Sequence, residues 1–275
     1  MNPTAHPAPP SADARPVALV TGAGQRIGRA IAEHLGQCGW ALALHHRQSG
    51  AACAELAEQL RSRGVPAQTF AADLSVESEV LALSAKVAAA FGRWDAVVNN
   101  ASVFEYDAVD SFSFENLDRH WRANTAAPVL LARELHRHLL SRPGEPQGCV
   151  VNLLDQKLWN PNPDYLSYTL SKAALEAANT LLAQALAPRV RVCGVAPGVT
   201  LISGPQMTEA GFTQAHAMTP LGRSSTPQDI AQAVAFVLQA PAITGTTLLV
   251  DGGQHLSAQP RDVVFLTPQA PAAGA

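Results

Sequence analysis

Seven short apolar runs punctuate residues 17–250 of this 275-residue chain, and helical patterns fill most of the gaps between them. Val17–Thr21, Ala41–His45, Ala67–Ala72, Ala96–Asn99, Cys149–Leu154, Val190–Val195 and Thr246–Val250 read as strands. Arg26–Cys38, Ala52–Arg63, Glu77–Phe91, a long segment near Leu117–Leu140, and Ser167–Leu186 read as helices. Gly39, Gly64 and Gly92 mark the ends of the first three. Thr226-Pro227 opens another, with Thr as N-cap and Pro as first helical residue. Strand–helix alternation implies parallel strands joined by helical crossovers. Most of the strands are apolar throughout, as burial on both faces requires. The expected fold is α/β: a single doubly wound parallel sheet of about seven strands with helices on both faces. Residues 16–256 are expected to form the one domain, after a disordered Pro/Ala/Ser leader over 1–15. A Pro/Ala-rich tail over 257–275 carries one apolar island, Val263–Leu266.

Hydrophobic residues make up 47% of the chain and charged ones 15%, enough apolar material for a sizeable core. A net charge of -3 gives no electrostatic case for nucleic acid or an anionic membrane. No stretch approaches the roughly 20 apolar residues of a membrane span, and the leader lacks the apolar run of a signal peptide. Cys38, Cys53, Cys149 and Cys193 form no C-x-x-C pair and have no metal-ligand spacing. A reduced cytoplasmic protein without a metal is expected.

Thr21-Gly22-Ala23-Gly24-Gln25-Arg26-Ile27-Gly28 joins the first strand to the first helix. Small residues there let the backbone approach a pyrophosphate, and the helix N-terminus offers N–H donors and positive dipole. Gly22, Gln25, Arg26 and Ile27 are the candidate contacts; an ordinary strand–helix turn is the plain alternative. A site for NAD usually places an acid after the second strand, to hold the ribose 2′-hydroxyl. Here that place holds His45-His46-Arg47-Gln48-Ser49. Arg47, helped by His46, Ser49 and Arg26, suits a 2′-phosphate, so NADP(H) is expected.

Tyr168 and Lys172 stand four apart in a helix, on one face. A phenol near pKa ~10 is a poor acid–base at neutral pH, and a neighbouring ammonium is expected to favour the phenolate.

From about residue 15 to 256 the chain resembles the short-chain dehydrogenase/reductases, which are Rossmann-like. The matching pieces are Thr21–Gly28, Asp73-Leu74, Asn99-Asn100-Ala101, Asn124, Tyr168/Lys172, Pro197-Gly198 and Asp251-Gly252-Gly253. The resemblance implies that Asp73 and Leu74 lie near the adenine, and Asn100 and Ala101 along the cofactor. It places Pro197, Gly198, Val199 and Thr200 near the nicotinamide. It makes Asn124 the holder of a water in a proton relay with Lys172.

Three departures sharpen the resemblance. Arg26 stands where the family usually has glycine. Ser102, followed by Phe104, replaces the glycine after Asn-Asn-Ala. Asp155 replaces the serine after the fifth strand. All three are similar to pteridine reductases and the related bacterial dihydropterin (dihydromonapterin) reductases, as is Tyr165 on the substrate side. The substrate residues implied are Arg26, Ser102, Phe104, Asp155, Tyr165 and Tyr168; the catalytic ones are Asp155, Tyr168, Lys172 and Asn124. A ketone reductase stabilises an alkoxide, which an ionised aspartate would repel. A C=N substrate instead needs a proton on nitrogen, which an acid beside Tyr168 can supply. Phe104 can equally just close the pocket, and Asp155 can be a cap.

The expected activity is NADPH-dependent reduction of a pterin or dihydropterin C=N bond. Reduction of another carbonyl or imine, or a non-catalytic NADP(H)-binding redox sensor, are the alternatives. The resemblance also implies a homotetramer built on the helices near 117–140 and 167–186. Residues 257–268, which carry the island Val263–Leu266, are expected to pack on a neighbouring subunit near its substrate entrance, with simple disorder as the alternative. The 198–225 loop, Trp159 and Asn160 have no role legible in sequence.

Overall fold

A computed structural model describes residues 15–203 and 207–269. The leader over 1–14 and the end of the tail over 270–275 lie outside the described residues. Seven strands form one sheet in the order β3-β2-β1-β4-β5-β6-β7, all parallel. They are β1 (Val17–Val20), β2 (Ala41–His46), β3 (Ala67–Ala71), β4 (Ala96–Asn99), β5 (Gly148–Leu153), β6 (Val190–Pro197) and β7 (Thr247–Val250). β1 pairs with both β2 and β4, so the winding reverses there. A crevice opens beyond the carboxyl ends of strands at such a reversal.

Period-two alternation sorts the strand side chains between two cores. Val20, Leu42, Val98 and Val151 face α1 (Arg26–Gln37), α2 (Gly50–Ser62) and α8 (Pro227–Gln239). Leu19, Val97, Val150 and Val192 face α3 (Glu77–Phe91), α5 (Ala127–Ser141) and α6 (Leu166–Leu186). Leu135 is fully buried in the second core, where truncation to Ala costs about 2–5 kcal/mol.

The long helix expected near 117–140 is interrupted. α4 (Phe114–Trp121) runs into a π-helical turn, Arg122–Ala126, before α5 begins. Pro128 has no N–H, so the Asn124 carbonyl loses its α-helical donor and the ladder widens there. The 198–225 segment, expected as a loop, contains α7 (Glu209–Ala217), capped by the Thr208 hydroxyl. Among the described residues no helix is long and apolar enough to cross a membrane.

The apolar island docks, but on its own chain. Val263–Phe265 forms a 3-10 turn whose Val263 and Val264 are buried with Tyr165, Tyr168, Met207 and Ala215. The side chains that bury it come from α6, α7 and the segment before α7, so the island needs no neighbour to leave water.

Candidate active site

A cavity of about 730 Å³ opens at the carboxyl ends of the strands, on the crevice side of β1 and β4. Its floor is the glycine turn. Gly22 has φ of +64°, a left-handed conformation that suits glycine. A Cβ on Gly28 would meet the Gly22 carbonyl oxygen at 2.2 Å, so the helix packs on the turn without room for a methyl group. Arg26 also adopts a positive φ, +54°, which explains physically why glycine is usual at that position. Its guanidinium donates to Ser203 Oγ at 3.1 Å. The first turn of α1 carries no acidic side chain, leaving its N–H groups suited to an anion.

The turn is tied to its neighbours through polar bonds. Thr21 Oγ1 accepts from the backbone N–H groups of Asn100 and Ala101, each at 2.9 Å. Asn100 Nδ2 donates back to the carbonyls of Thr21 and Gly22. Gly22 N–H donates to His45 Nδ1 at 3.2 Å, and His45 Nε2 meets the Ala72 carbonyl at 3.0 Å, which assigns the ring proton to Nε2. Burial pushes the His45 pKa down to about 4, so the ring is neutral at physiological pH.

Most of the expected cofactor residues line this cavity: Gly22, Gln25, Arg26, Ile27, Arg47, Ser49, Asp73, Leu74, Asn100, Ala101, Ser102 and the Pro197–Thr200 stretch. His46 is placed elsewhere. Alternation along β2 sends His45 and Arg47 to the cavity and His46 away from it, against Gly50. His45 is the residue that sequence reasoning passed over. Arg47 lies 4.0 Å from the Asp73 carboxylate, and its side chain is 55% exposed. The hydrogen bonds from Ser75, first that of its hydroxyl, hold the Asp73 carboxyl below the usual range.

The catalytic candidates gather at the other end. Tyr165, at φ +53°, is the N-cap of α6, and Asp107 anchors the first turn, its carboxylate accepting from Ser167 N–H and its carbonyl from Leu166 N–H. One turn on, the Tyr168 hydroxyl donates to Asp155 Oδ2 at 2.9 Å. Asp155 Oδ1 accepts from Lys157 N–H at 2.8 Å. The carboxylate is thus both a cap for the 3-10 turn Gln156–Leu158 and a partner of the tyrosine. Burial raises the Asp155 pKa, against the opposing hydrogen bonds from Lys157 and Tyr168. Burial pushes Tyr168 well above 10, and the Asp155 charge adds to that.

Lys172 is tied to the last residue of β5 and lies over the Tyr168 ring. Its Nζ donates to the Leu153 carbonyl at 2.7 Å and stands 5.8 Å from the Tyr168 ring centroid. Burial brings its pKa down to about 8, against the Asp155 charge. Asn124 sits behind the cavity wall. Its Oδ1 accepts from Val103 N–H and Ser102 Oγ, and its Nδ2 donates to Val103 O and Ser171 Oγ. Ser171 Oγ in turn donates to the Tyr168 carbonyl at 2.7 Å.

Phe104 stacks on Tyr165, centroids 4.3 Å apart and planes 13° from parallel, and meets Tyr168 edge-on at 4.7 Å. One face of Phe104 is therefore already covered within the protein. Burial raises the Tyr165 pKa to about 12. The tail completes the wall with Gln259, Arg261, Asp262, Val263 and Val264, of which sequence marked only the two valines of the apolar island. Asn160, without a role in sequence, ties that tail down by donating to the Ser257 carbonyl at 2.7 Å. Trp159 is half-exposed beside it.

Residues 22–255 match the family described as Enoyl-(Acyl carrier protein) reductase. An uncharacterized oxidoreductase of Methylorubrum extorquens is 34% identical over 248 residues, covering 86% of this chain and 96% of that protein. Solved structures of FolM Alternative dihydrofolate reductase 1, each with NADP, are also similar. The Brucella suis protein has a TM-score of 0.84 at 38% identity, covering 90% of this chain and 98% of its own. The Brucella canis protein has a TM-score of 0.82 at 36% identity, covering 90% and 96%. With this sheet, this glycine turn and the Tyr168/Lys172 pair, the chain belongs to the short-chain dehydrogenase/reductase family of oxidoreductases.

Proposed function

We propose that the protein uses NADPH to reduce the C=N bond of a dihydropterin. The observation that carries this reading is the hydrogen bond between Tyr168 and Asp155 at the end of β5. A buried carboxyl in contact with the tyrosine hydroxyl can resupply the proton that a ring nitrogen takes up. The Brucella proteins similar in structure are described as alternative dihydrofolate reductases in complex with NADP, in keeping with both parts of the reading.

The residues present fit NADP(H). The crowded contact between Gly22 and Gly28 brings the α1 N-terminus to the cavity, where its N–H groups suit a pyrophosphate. Arg47 and Ser49 at the end of β2 suit a 2′-phosphate. When bound, the reduced nicotinamide supplies a hydride. Phe104 and Tyr165 present a flat aromatic wall for a pterin ring. As carbon gains the hydride, the adjacent nitrogen takes the Tyr168 hydroxyl proton, and Asp155 replaces it. Lys172 holds positive charge beneath the ring while that proton moves. The C=N bond becomes CH–NH, with one hydride and one proton consumed.

The test is NADPH oxidation, followed by absorbance, with dihydrobiopterin, dihydromonapterin, dihydrofolate and a panel of simple ketones. Turnover of a dihydropterin above every ketone is expected. Turnover of ketones alone would assign the site to carbonyl reduction; tight NADPH binding without any turnover would make the protein a redox sensor.

A further inference from the structure

The tail carries a carboxylate into the substrate end of the cavity and holds it there by an ion-pair chain that runs from the partly exposed Arg261 to the buried Lys157. Arg261 Nε and Nη2 each reach the Asp164 carboxylate at 2.7 Å, and Asp262 N–H donates to the same group at 2.7 Å. Lys157 is 3% exposed. Its Nζ donates to the Asp164 carbonyl at 2.6 Å and to Asp262 Oδ2 at 3.3 Å. Its own backbone N–H is the one that caps Asp155. A buried ammonium needs a counter-charge. With the Asp164 carboxylate committed to Arg261, the tail's Asp262 supplies it.

We propose that Asp262 is a positioning residue for proton delivery: paired with the buried Lys157 ammonium, it offsets that cation's pull on Asp155. This rests on the reading of Asp155 and Tyr168 as the proton-delivering pair. Tyr168 and Lys172 face Asp155 from α6, and Tyr165 from its start. Lys157 faces it from the 3-10 turn and Asp262 from the tail, with Asp164 and Arg261 paired to each other behind them. The Asp262 charge adds to the upward shifts of Asp155, Tyr165 and Tyr168, each due first to burial, while the Lys157 charge opposes that of Asp155. Neutralising Asp262 removes a negative neighbour and leaves Lys157 unmatched. Both changes favour ionised Asp155, so its midpoint falls. Neutralising Lys157 does the reverse, and neutralising both nearly restores the balance.

The experiment uses the full chain with 13C-carboxyl aspartate, the Asp155 resonance being assigned by its absence in Asp155→Asn. Its midpoint is followed by NMR alongside the kcat pH profile. Asp262→Asn should lower the midpoint by on the order of one pH unit, tenfold in proton affinity; Lys157→Met should raise it, the double variant should lie near wild type, and Asp262→Glu should rescue. Truncation after Leu256, which opens Lys157 to water instead of stranding it, is the second variant and should also lower the midpoint. Unmoved midpoints, or single-variant shifts of the same sign, would overturn the proposal. Shifts as expected in a protein that reduces no dihydropterin would leave Asp262 its role and remove the assigned reaction; turnover with unmoved midpoints would do the opposite.

Discussion

Tyr168 donates to Asp155 across 2.9 Å, and both groups lie where burial favours their protonated forms. On the proposed reading the two share a proton path, titrate as a coupled pair, and work with the proton on Asp155, so kcat is expected to fall as pH rises through the raised Asp155 pKa. Asp155→Asn keeps the shape of the side chain and removes its acidic proton. We expect kcat to drop by roughly 10²–10⁴-fold, the range of a general acid–base, with NADPH affinity nearly unchanged. Asp155→Ser should shift activity toward ketones. Full dihydropterin turnover with an unaltered pH profile in Asp155→Asn would make the residue only the cap of its 3-10 turn.

Cofactor preference should turn on Arg47. Its guanidinium faces the cavity and, among the described residues, pairs with Asp73 at 4.0 Å across exposed surface. Such exposed pairs are weak, which leaves the charge free for a phosphate. Arg47→Asp replaces an attraction with a repulsion and should cut NADPH affinity by about 10–100-fold, the worth of a charge-assisted hydrogen bond. Competitive binding of NADPH and NADH measures it; an unchanged preference for NADPH would remove Arg47 from the site.

Acid stability should depend on His45. Its folded pKa is depressed from 6.5 to about 4, chiefly by burial, and the unfolded chain binds the extra proton first. Stability from the neutral ring is therefore complete above pH 6.5 and is lost as pH falls toward about 4. The shift corresponds to about 3 kcal/mol at most. His45→Gln retains an acceptor for Gly22 and a donor for Ala72 without titrating. Its Tm should fall less than that of the wild type between pH 7 and pH 4.5; equal losses would place the acid sensitivity elsewhere.

The sheet was legible because most of its strands are apolar throughout, and Tyr168, Lys172 and Asp155 were legible through the family pattern that follows the fifth strand. Other features needed the third dimension. The π turn at Arg122–Ala126 had a sequence signal in Pro128, inside an otherwise helical pattern. α7 had little: it is short and contains Gly211, whose place is set by the tail, since a Cβ there would lie 2.5 Å from the Pro268 carbonyl oxygen. Choosing between His45 and His46 requires strand phase, and one residue inverts the answer. Arg261 and Asp164 meet across 97 residues of sequence, with no motif at either end.

Assembly should involve the helices beside the site. Trp121 on α4, Leu140 on α5, and Leu170 and Leu181 on α6 remain between 46% and 65% exposed. Side chains of that size gain most from burial against a second apolar face. A homotetramer with two-fold interfaces is expected, and Leu181→Glu should lower its mass in size-exclusion light scattering. A wild-type monomer in dilute solution would contradict this.

The glycine turn offers a test that separates cofactor binding from general stability. A Cβ at Gly28 would lie 2.2 Å from the Gly22 carbonyl oxygen and 2.5 Å from Asn100 Nδ2. Neither neighbour can yield easily, because Asn100 is itself tied to Thr21 and Gly22. Gly28→Ala should therefore push the turn off the α1 N-terminus, costing about 1–3 kcal/mol of stability as overpacking does. NADPH affinity should fall at least tenfold, because the backbone donors no longer converge. Gly39→Ala is the control. It adds a methyl group with nothing within 4 Å, at a φ of +90°, so it carries backbone strain of about 1–2 kcal/mol alone. Tm should drop in both variants, and the NADPH Kd, read by fluorescence titration, should rise only in Gly28→Ala. Equal Kd values in the two would mean that the close contact between Gly22 and Gly28 serves the fold and not the cofactor.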